Sequence, residues 1–406
     1  MTARQRIVVA GGSLAGHSAV SELTGLMPDA EIVWITGEHH ERVYSKPALS
    51  KEFMQARNEV ADILLPDVET GQGTLTILRG ARCASLDAAG RRLTLTDGET
   101  VAFDQLLIAT GADPRMPPMV EGMGGVFPLR TLDDATAIRA AIAHKPKVLV
   151  LGGGLIGCEL AASMRTLGLE VTIVERLETL LDRPFAGALN AYFLDMHRRN
   201  GVELVMGATV ERLEARDGQV AGAVLSDGTT IEAGLVLVGA GSAPATQWLE
   251  GSGLQVADGV LCDAFLASSH AGIYAAGDVA RWFNPVFDMP MRVEHWTNAS
   301  AQGRAAARNL AALASGRPEM AKEFGDVPYF WSDQYGHKIQ MVGWHHGHDR
   351  VELEQPEEAP GPLARFYREG RLVAAAGVNV PRVVMRLRRQ IEEEARMRSP
   401  ALAHAS

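Results

Sequence analysis

The sequence predicts an α/β protein with two parallel-sheet units and a smaller α+β unit at the C-terminus. Two glycine fingerprints, the succession of elements repeated after each, and a change of character near the C-terminus carry this reading. The first fingerprint is Ile7-Val8-Val9-Ala10-Gly11-Gly12-Ser13-Leu14-Ala15-Gly16. The second, 141 residues on (Gly11 to Gly152), is Val148-Leu149-Val150-Leu151-Gly152-Gly153-Gly154-Leu155-Ile156-Gly157. Each reads as a buried parallel strand, a tight turn and a helix whose N-terminus faces the turn. Backbone N–H groups in such a turn approach a pyrophosphate closely, and the helix dipole favours its charge. Two Rossmann-like dinucleotide-binding domains are therefore expected, with two dinucleotides placed to exchange electrons.

In the first unit an amphipathic helix from about Ala15 to Leu26 leads to a strand from Glu31 to Thr36. Residues 75–103 alternate apolar and polar side chains around Gly80 and Asp97-Gly98, the pattern of antiparallel hairpins. Gln105 to Gly111 reads as a buried strand and tight turn, and Asp113-Pro114-Arg115-Met116-Pro117-Pro118 as a linker. The second unit repeats this order. It has a strand at 147–151, a helix to about Leu167, a strand from Glu170 to Val174, and an antiparallel stretch at 203–230 turning at Asp217-Gly218. The strand Leu235 to Val238 and the turn Gly239-Ala240-Gly241 close it. A further apolar strand, Ile273-Tyr274-Ala275-Ala276, ends at Gly277-Asp278, and from about Asp326 the chain is strand-rich and then helical.

The composition, 47% hydrophobic and 22% charged over 406 residues, is that of a globular protein too long for one simple core. A net charge of −10 argues against nucleic-acid binding. No apolar run reaches the roughly 18 residues of a membrane span. The N-terminus enters its glycine turn within ten residues, so it reads as a first strand rather than a signal peptide. The three cysteines, Cys83, Cys158 and Cys262, form no CxxC pair or metal cluster. That excludes a dithiol relay by this route and points to a reducing cytoplasm. A monomer or weak dimer is expected.

Glu175 lies 23 residues beyond Gly152, at the end of the second strand of its βαβ unit. An acid there accepts hydrogen bonds from both adenosine ribose hydroxyls and repels a 2′-phosphate, favouring NADH over NADPH. The adjacent Arg176 offers a phosphate partner instead, and a surface glutamate at a strand end is the plain alternative. In the first fingerprint Ser13 replaces the middle glycine. It is small and donates a hydrogen bond, so the turn reads either as a phosphate cradle or as a packing turn. Glu38 is the acid nearest the end of the adjoining strand.

Several further stretches resemble one family. They are Tyr44-Ser45-Lys46-Pro47-Ala48-Leu49-Ser50-Lys51, Ala109-Thr110-Gly111-Ala112-Asp113-Pro114-Arg115, Ile273 to Val279, Arg292-Val293-Glu294-His295-Trp296-Thr297-Asn298-Ala299, Val327 to Gln334, and Val378-Asn379-Val380-Pro381-Arg382. In order and over nearly the whole chain, they are similar to the FAD- and NADH-dependent ferredoxin reductases of bacterial oxygenase systems. The resemblance implies a glutathione-reductase-like architecture. An FAD-binding domain would comprise 1–114 and 246–325, an NADH-binding domain 115–245, and a C-terminal domain 326–406.

The resemblance also implies roles. FAD would lie against Gly11, Ser13, Ala15, Gly16, Glu38, Lys46, Lys51, Ala109, Thr110, Gly111, Arg130, Gly277, Asp278, Glu294, His295, Trp296 and Trp331. NADH would lie against Gly152, Gly154, Leu155, Ile156, Gly157, Glu159, Glu175, Arg176, Arg183 and Gly239-Ala240-Gly241. Lys46 stands where the family has arginine, and Ala48 where it has proline, so charge is kept and the bidentate fork lost. Lys51 and Glu159 would oppose one another near the reactive edge of the flavin, orienting the rings, since hydride transfer requires no protein acid. Asp278 would bond the ribityl chain, and the alanine-rich helix from near Thr297 would aim its positive end at the isoalloxazine. Trp331 would stand beside the flavin, although an aromatic in a strand is also ordinary core. His295 reads as structural rather than as a base, and Arg183 reads equally as a solvated cation.

The implied reaction passes hydride from NADH to FAD, then single electrons to a [2Fe–2S] ferredoxin that serves a heme-thiolate monooxygenase or Rieske dioxygenase. Rubredoxin reduction, and an NADH-responsive signalling flavoprotein resembling apoptosis-inducing factor, are the alternatives. Residues 382–398 hold six arginines against three glutamates, and Arg304 and Arg308 lie on the flavin-side helix. Arg386, Arg388 and Arg389 are therefore expected to meet an acidic ferredoxin, unless the stretch is simply a solvated amphipathic helix.

Overall fold

The computed structural model describes residues 4–69, 73–120, 122–355 and 361–398. Its two large sheets are parallel and share one core topology. In the first, the strand Arg6–Ala10 is central, with Glu31–Thr36 and then Thr74–Arg79 on one side and Gln105–Ile108 and then Ile273–Ala275 on the other. In the second, Val148–Leu151 is central, with Val171–Glu175 and Val202–Met206 on one side and Leu235–Val238 and Val126–Pro128 on the other. The central strands are buried on both faces, which is why they read as unbroken Val/Leu/Ile runs. Each unit carries a three-stranded antiparallel insertion before its fourth strand. One is Cys83–Asp87, Arg92–Leu95 and Thr100–Ala102; the other is Val210–Arg216, Gln219–Leu225 and Thr230–Glu232.

Two expectations need correction. Thr74–Arg79 and Val202–Met206 open the stretches read as antiparallel, yet both pair parallel within the large sheets. Both lie at a sheet edge with partly exposed side chains, so the alternation reports an exposed face rather than strand direction. The sequence reading also passed over Val126–Pro128 and a four-stranded sheet made of Val256–Ala257, Gly259–Cys262, Ala280–Asn284 and Met289–Arg292.

The two crossings between the parallel-sheet units run side by side, with Ala112–Pro114 pairing antiparallel with Ser242–Pro244. Helix Trp296–Ala314 packs on helix Leu14–Leu26 at Gly303, where a Cβ would lie 2.3 Å from the Ala15 carbonyl oxygen. This close crossing brings the N-terminus of the later helix to the first glycine turn.

The C-terminal part is a five-stranded antiparallel sheet in the order Tyr329–Gln334, His337–Gly343, Arg371–Val378, Leu363–Arg368, Arg350–Glu354. Helix Pro381–Arg398 covers it through the stripe Val384, Leu387, Ile391 and Ala395. The turn of its first hairpin is held to helix Asn190–Arg199 by two reciprocal pairs. His197 Nδ1 lies 3.0 Å from the Tyr335 hydroxyl, and the Tyr192 hydroxyl 3.0 Å from His337 Nδ1. Among the described residues no helix is long and apolar enough to cross a membrane.

Candidate active site

The same steric device builds both glycine turns. A Cβ at Gly11 (φ +136°) would lie 2.0 Å from the Ala109 carbonyl oxygen, and one at Gly16 1.9 Å from the Gly11 oxygen. At Gly152 (φ +103°) and Gly157 the corresponding distances are 2.5 Å to the Gly239 oxygen and 2.1 Å to the Gly152 oxygen. Side chains at Gly11 and Gly152 would push the turn off the end of the neighbouring strand, and ones at Gly16 and Gly157 would force strand and helix apart. Gly154 differs, because the nearest atom to its Cβ position is the Gly239 oxygen at 4.0 Å, so that side of the turn is open. Ser13 stands at the matching place in the first turn, and its side chain makes no capping bond to the helix it precedes.

One cleft gathers residues from three parts of the chain. The first turn supplies Ser13 and Ala15, the loop after Thr36 supplies Lys46 and Lys51, and the fourth strand's turn supplies Ala109 and Gly111. Helix Leu155–Thr166 contributes Leu155, Ile156 and Glu159. Arg130, Gly277, Asp278, Glu294, His295, Trp296 and Trp331 complete the expected residues on its wall. Leu155 and the exposed Ile156 give the second unit an apolar approach to the cleft.

At its centre the Lys51 ammonium sits 2.8 Å from Glu159 Oε1, and both side chains are buried. Ser332 Oγ donates to the same oxygen at 2.7 Å, Ser50 Oγ donates to Oε2 at 2.5 Å, and Lys51 Nζ also reaches the Pro47 carbonyl at 3.2 Å. Trp331 stacks on Tyr329 at 6.0 Å between ring centroids, 20° between planes. On the other face of that strand, Phe330 packs against His295 at 4.7 Å. Burial holds the His295 imidazole down to about 3, so it is neutral and unsuited to act as a base near neutral pH.

Ion pairs join the wall residues Lys46, Arg130, Asp278 and Glu294 to one another and to groups outside the wall. Lys46 lies 2.7 Å from Glu38 Oε1 and donates to the Arg130 carbonyl at 3.0 Å, while the Tyr44 hydroxyl also bonds Glu38. Burial lowers the Lys46 ammonium against the pull of Glu38. Burial pushes the Glu38 carboxyl up, but Lys46 and the Tyr44 hydroxyl bring it below the ordinary range. Arg130 meets Asp278 at 3.2 Å, yet burial still leaves that carboxyl above its ordinary value. Burial pushes Glu294 up, and Arg183 (3.2 Å) and Arg292 (2.6 Å) hold it down to about 2.

The expected nucleotide residues lie around the second turn. Glu175 accepts the Gly153 N–H at 2.6 Å through Oε2 and the Leu177 N–H at 3.0 Å through Oε1, leaving one lone pair on each oxygen. Arg176 is exposed. Gly239 closes against Gly152, and Gly241 (φ +88°) has open space beside it. Thr110, expected against the flavin, is not on the cleft wall between Ala109 and Gly111, and its hydroxyl donates to the Ala245 carbonyl at 3.0 Å. Arg183 is not simply solvated, since it bridges to Glu294 and its carbonyl lies 3.0 Å from His345 Nε2.

Arg388 corrects the expected basic patch. It is bound to Asp326 at 2.7 Å, Glu392 at 3.2 Å and the Val327 carbonyl, so it ties the last helix down. Arg308 is likewise paired with Glu22, whereas Arg386 and Arg389 are exposed. Sequence reasoning missed Ser50, Ser332, Phe330 and Arg292. The alternation of the strand containing Trp331 was the available signal for Phe330 and Ser332.

Polar atoms beside the cleft fit a bound dinucleotide. Among the described residues both amide atoms of Asn298, 2% exposed, lack a partner, as does Gln302 Nε2. The N-terminus of helix Trp296–Ala314, with no acidic residue in its first turn, adds positive potential. The profile of pyridine nucleotide-disulphide oxidoreductases matches residues 5–303, and that of a reductase C-terminal domain matches 329–406. The chain belongs to the pyridine nucleotide-disulphide oxidoreductase family. Within that family it is 32% identical to the anthranilate 1,2-dioxygenase system ferredoxin–NAD(+) reductase component of Burkholderia cepacia, over 95% of this chain and 93% of the relative. It is also 32% identical to the putidaredoxin reductase of Pseudomonas putida, over 94% and 90% of the two chains. The crystal structure of the covalent putidaredoxin reductase–putidaredoxin complex superposes with a TM-score of 0.89 at 28% identity, covering 96% of this chain and 93% of that one.

The family's name describes disulphide chemistry, but the three cysteines of this chain are free. Burial pushes the Cys83 and Cys262 thiols up to about 12 and raises Cys158 as well, so none is a ready thiolate.

Proposed function

We propose that this chain is a cytoplasmic, NADH-dependent ferredoxin reductase. One observation carries the reading: a single cleft is walled by the first glycine turn, the helix of the second and Trp331 of the C-terminal sheet. Two dinucleotides seated in the turns would meet there. FAD would be held by Ser13, the Lys46–Glu38 pair, Arg130, Asp278 and the N-terminus of helix Trp296–Ala314. NADH would be held by the open turn at Gly154 and by Glu175, whose carboxylate repels a 2′-phosphate. When bound, FAD supplies the conversion of a two-electron hydride donor into a one-electron donor. The chain's own residues orient and seal. Lys51 and Glu159 would orient the facing rings, Leu155, Ile156 and Phe330 would exclude water, and neutral His295 packs against Phe330 just before the helix without moving a proton.

The paired strands Ala112–Pro114 and Ser242–Pro244 support the division into a flavin domain (1–114 and 246–325), a nucleotide domain (115–245) and a C-terminal domain (326–406). The acceptor is a [2Fe–2S] ferredoxin feeding an oxygenase, in keeping with the relatives' names. The purified protein should carry FAD, be bleached faster by NADH than by NADPH, and reduce cytochrome c only with added ferredoxin. A colourless protein that takes up no flavin, or cytochrome c reduction that ignores the carrier, would refute this.

A further inference from the structure

We propose that Ser332 of the C-terminal sheet is a positioning residue for the reaction, acting through Glu159. This rests on reading the Lys51–Glu159 pair as the group that orients nicotinamide against flavin. Ser332 is wholly buried and donates to Glu159 Oε1 at 2.7 Å, the oxygen that also receives Lys51. Its proton has one destination. Gln334, two residues along the same strand face and 1% exposed, donates its Nε2 to Ser332 Oγ at 3.0 Å, occupying the acceptor side of the hydroxyl.

The carboxylate is thus held at three points: by Lys51 and Ser50 from the first unit and by Ser332 from the C-terminal sheet, while Glu159 itself stands on the second unit's helix. Among the described residues Ser50 alone fixes Oε2. Without Ser332, Oε1 keeps only the flexible lysine, and the carboxylate gains freedom to rotate about its last bond. The C-terminal sheet therefore sets the angle of the carboxylate that would orient the rings, besides presenting Trp331.

The test uses flavin-loaded wild type, Ser332→Ala, Glu159→Gln and the double variant. Rapid-mixing reduction by NADH gives a limiting rate and an apparent Kd. In parallel, acetylation of Lys51 without nucleotide is followed by mass spectrometry. Loss of orientation should slow the limiting rate of Ser332→Ala about tenfold while the apparent Kd stays within about twofold. In the Glu159→Gln background the same substitution should change the rate by less than about twofold, because the two residues act as one. Lys51 in Ser332→Ala should be acetylated several-fold faster than in wild type. Rate losses that multiply in the double variant, an unchanged limiting rate, or unchanged Lys51 acetylation would each overturn the proposal. If NADH failed to bleach the wild-type flavin, the proposed function would fall and the catalytic role of Ser332 with it, while Lys51 acetylation would still show separately whether Ser332 holds the Lys51–Glu159 pair.

Discussion

Removing either member of the Lys51–Glu159 pair should cost more than removing both. The two charges lie 2.8 Å apart with side chains 9% and 4% exposed. At an effective dielectric near 20 their attraction is about 6 kcal/mol. Desolvation of both groups takes back much of it, so the pair contributes little net, but one charge left alone in the same site costs about 3–5 kcal/mol. Lys51→Met leaves the Glu159 carboxylate with two hydroxyl donors and no cation. Glu159→Gln leaves the ammonium with an amide oxygen and the Pro47 carbonyl. Each single variant should therefore lose about 3–5 kcal/mol, and the double variant less than either. Urea unfolding followed by flavin fluorescence measures all four proteins. Additive losses, with the double variant the least stable, would show that the groups do not depend on one another and refute the reasoning.

Further outcomes follow from the geometry. Gly154→Val grows into open space, so the protein should fold and keep its flavin while NAD+ affinity, measured by calorimetry, falls at least about 100-fold through loss of backbone approach. Gly11→Ala places a methyl carbon 2.0 Å from the Ala109 oxygen, and the purified protein should lack the yellow absorbance of wild type. Burial holds His197 and His345 down to about 4 and His295 to about 3. Their neutral forms stabilise the fold fully above pH 6.5. The unfolded chain takes up protons first as pH falls, so each should cost about 2 kcal/mol by pH 5; a Tm unchanged between pH 7 and pH 5 would contradict this. Reversing Arg386 and Arg389 should raise the KM for an acidic ferredoxin about tenfold at low salt with NADH–ferricyanide turnover unchanged. Arg388→Glu should instead lower Tm, because that residue holds Asp326 and the Val327 carbonyl.

Local pattern made the two parallel-sheet units legible. Val148 to Gly157 encodes a buried strand, a turn and a helix within ten consecutive residues, and the close contacts at Gly152 and Gly157 leave few other residues possible there. Strand direction was less legible. Thr74–Arg79 alternates because one face of an edge strand meets solvent, and alternation is blind to whether its neighbour runs parallel. The arginines of the last helix show a similar limit: Arg386, Arg388 and Arg389 are equivalent by composition, yet the partner of Arg388 lies 62 residues away at Asp326.

The cleft was legible where its residues sit inside motifs, and the resemblance brought Lys51 and Glu159 together across 108 residues. Ser332 joins them from a further 173 residues away, and no local pattern relates it to either. Sequence alone also gives Ser332 no distinction from any serine in a strand. What makes it specific is that Gln334 lies on the same face and Glu159 lies opposite, so the direction of one hydroxyl proton is set from both sides. In the proposed role, this arrangement would couple the C-terminal sheet to the orientation of Glu159 by geometry rather than by charge. A reductase that must align two planar rings held on separate domains gains from such a third point of reference, because two domains alone leave a hinge free about the line joining their contacts.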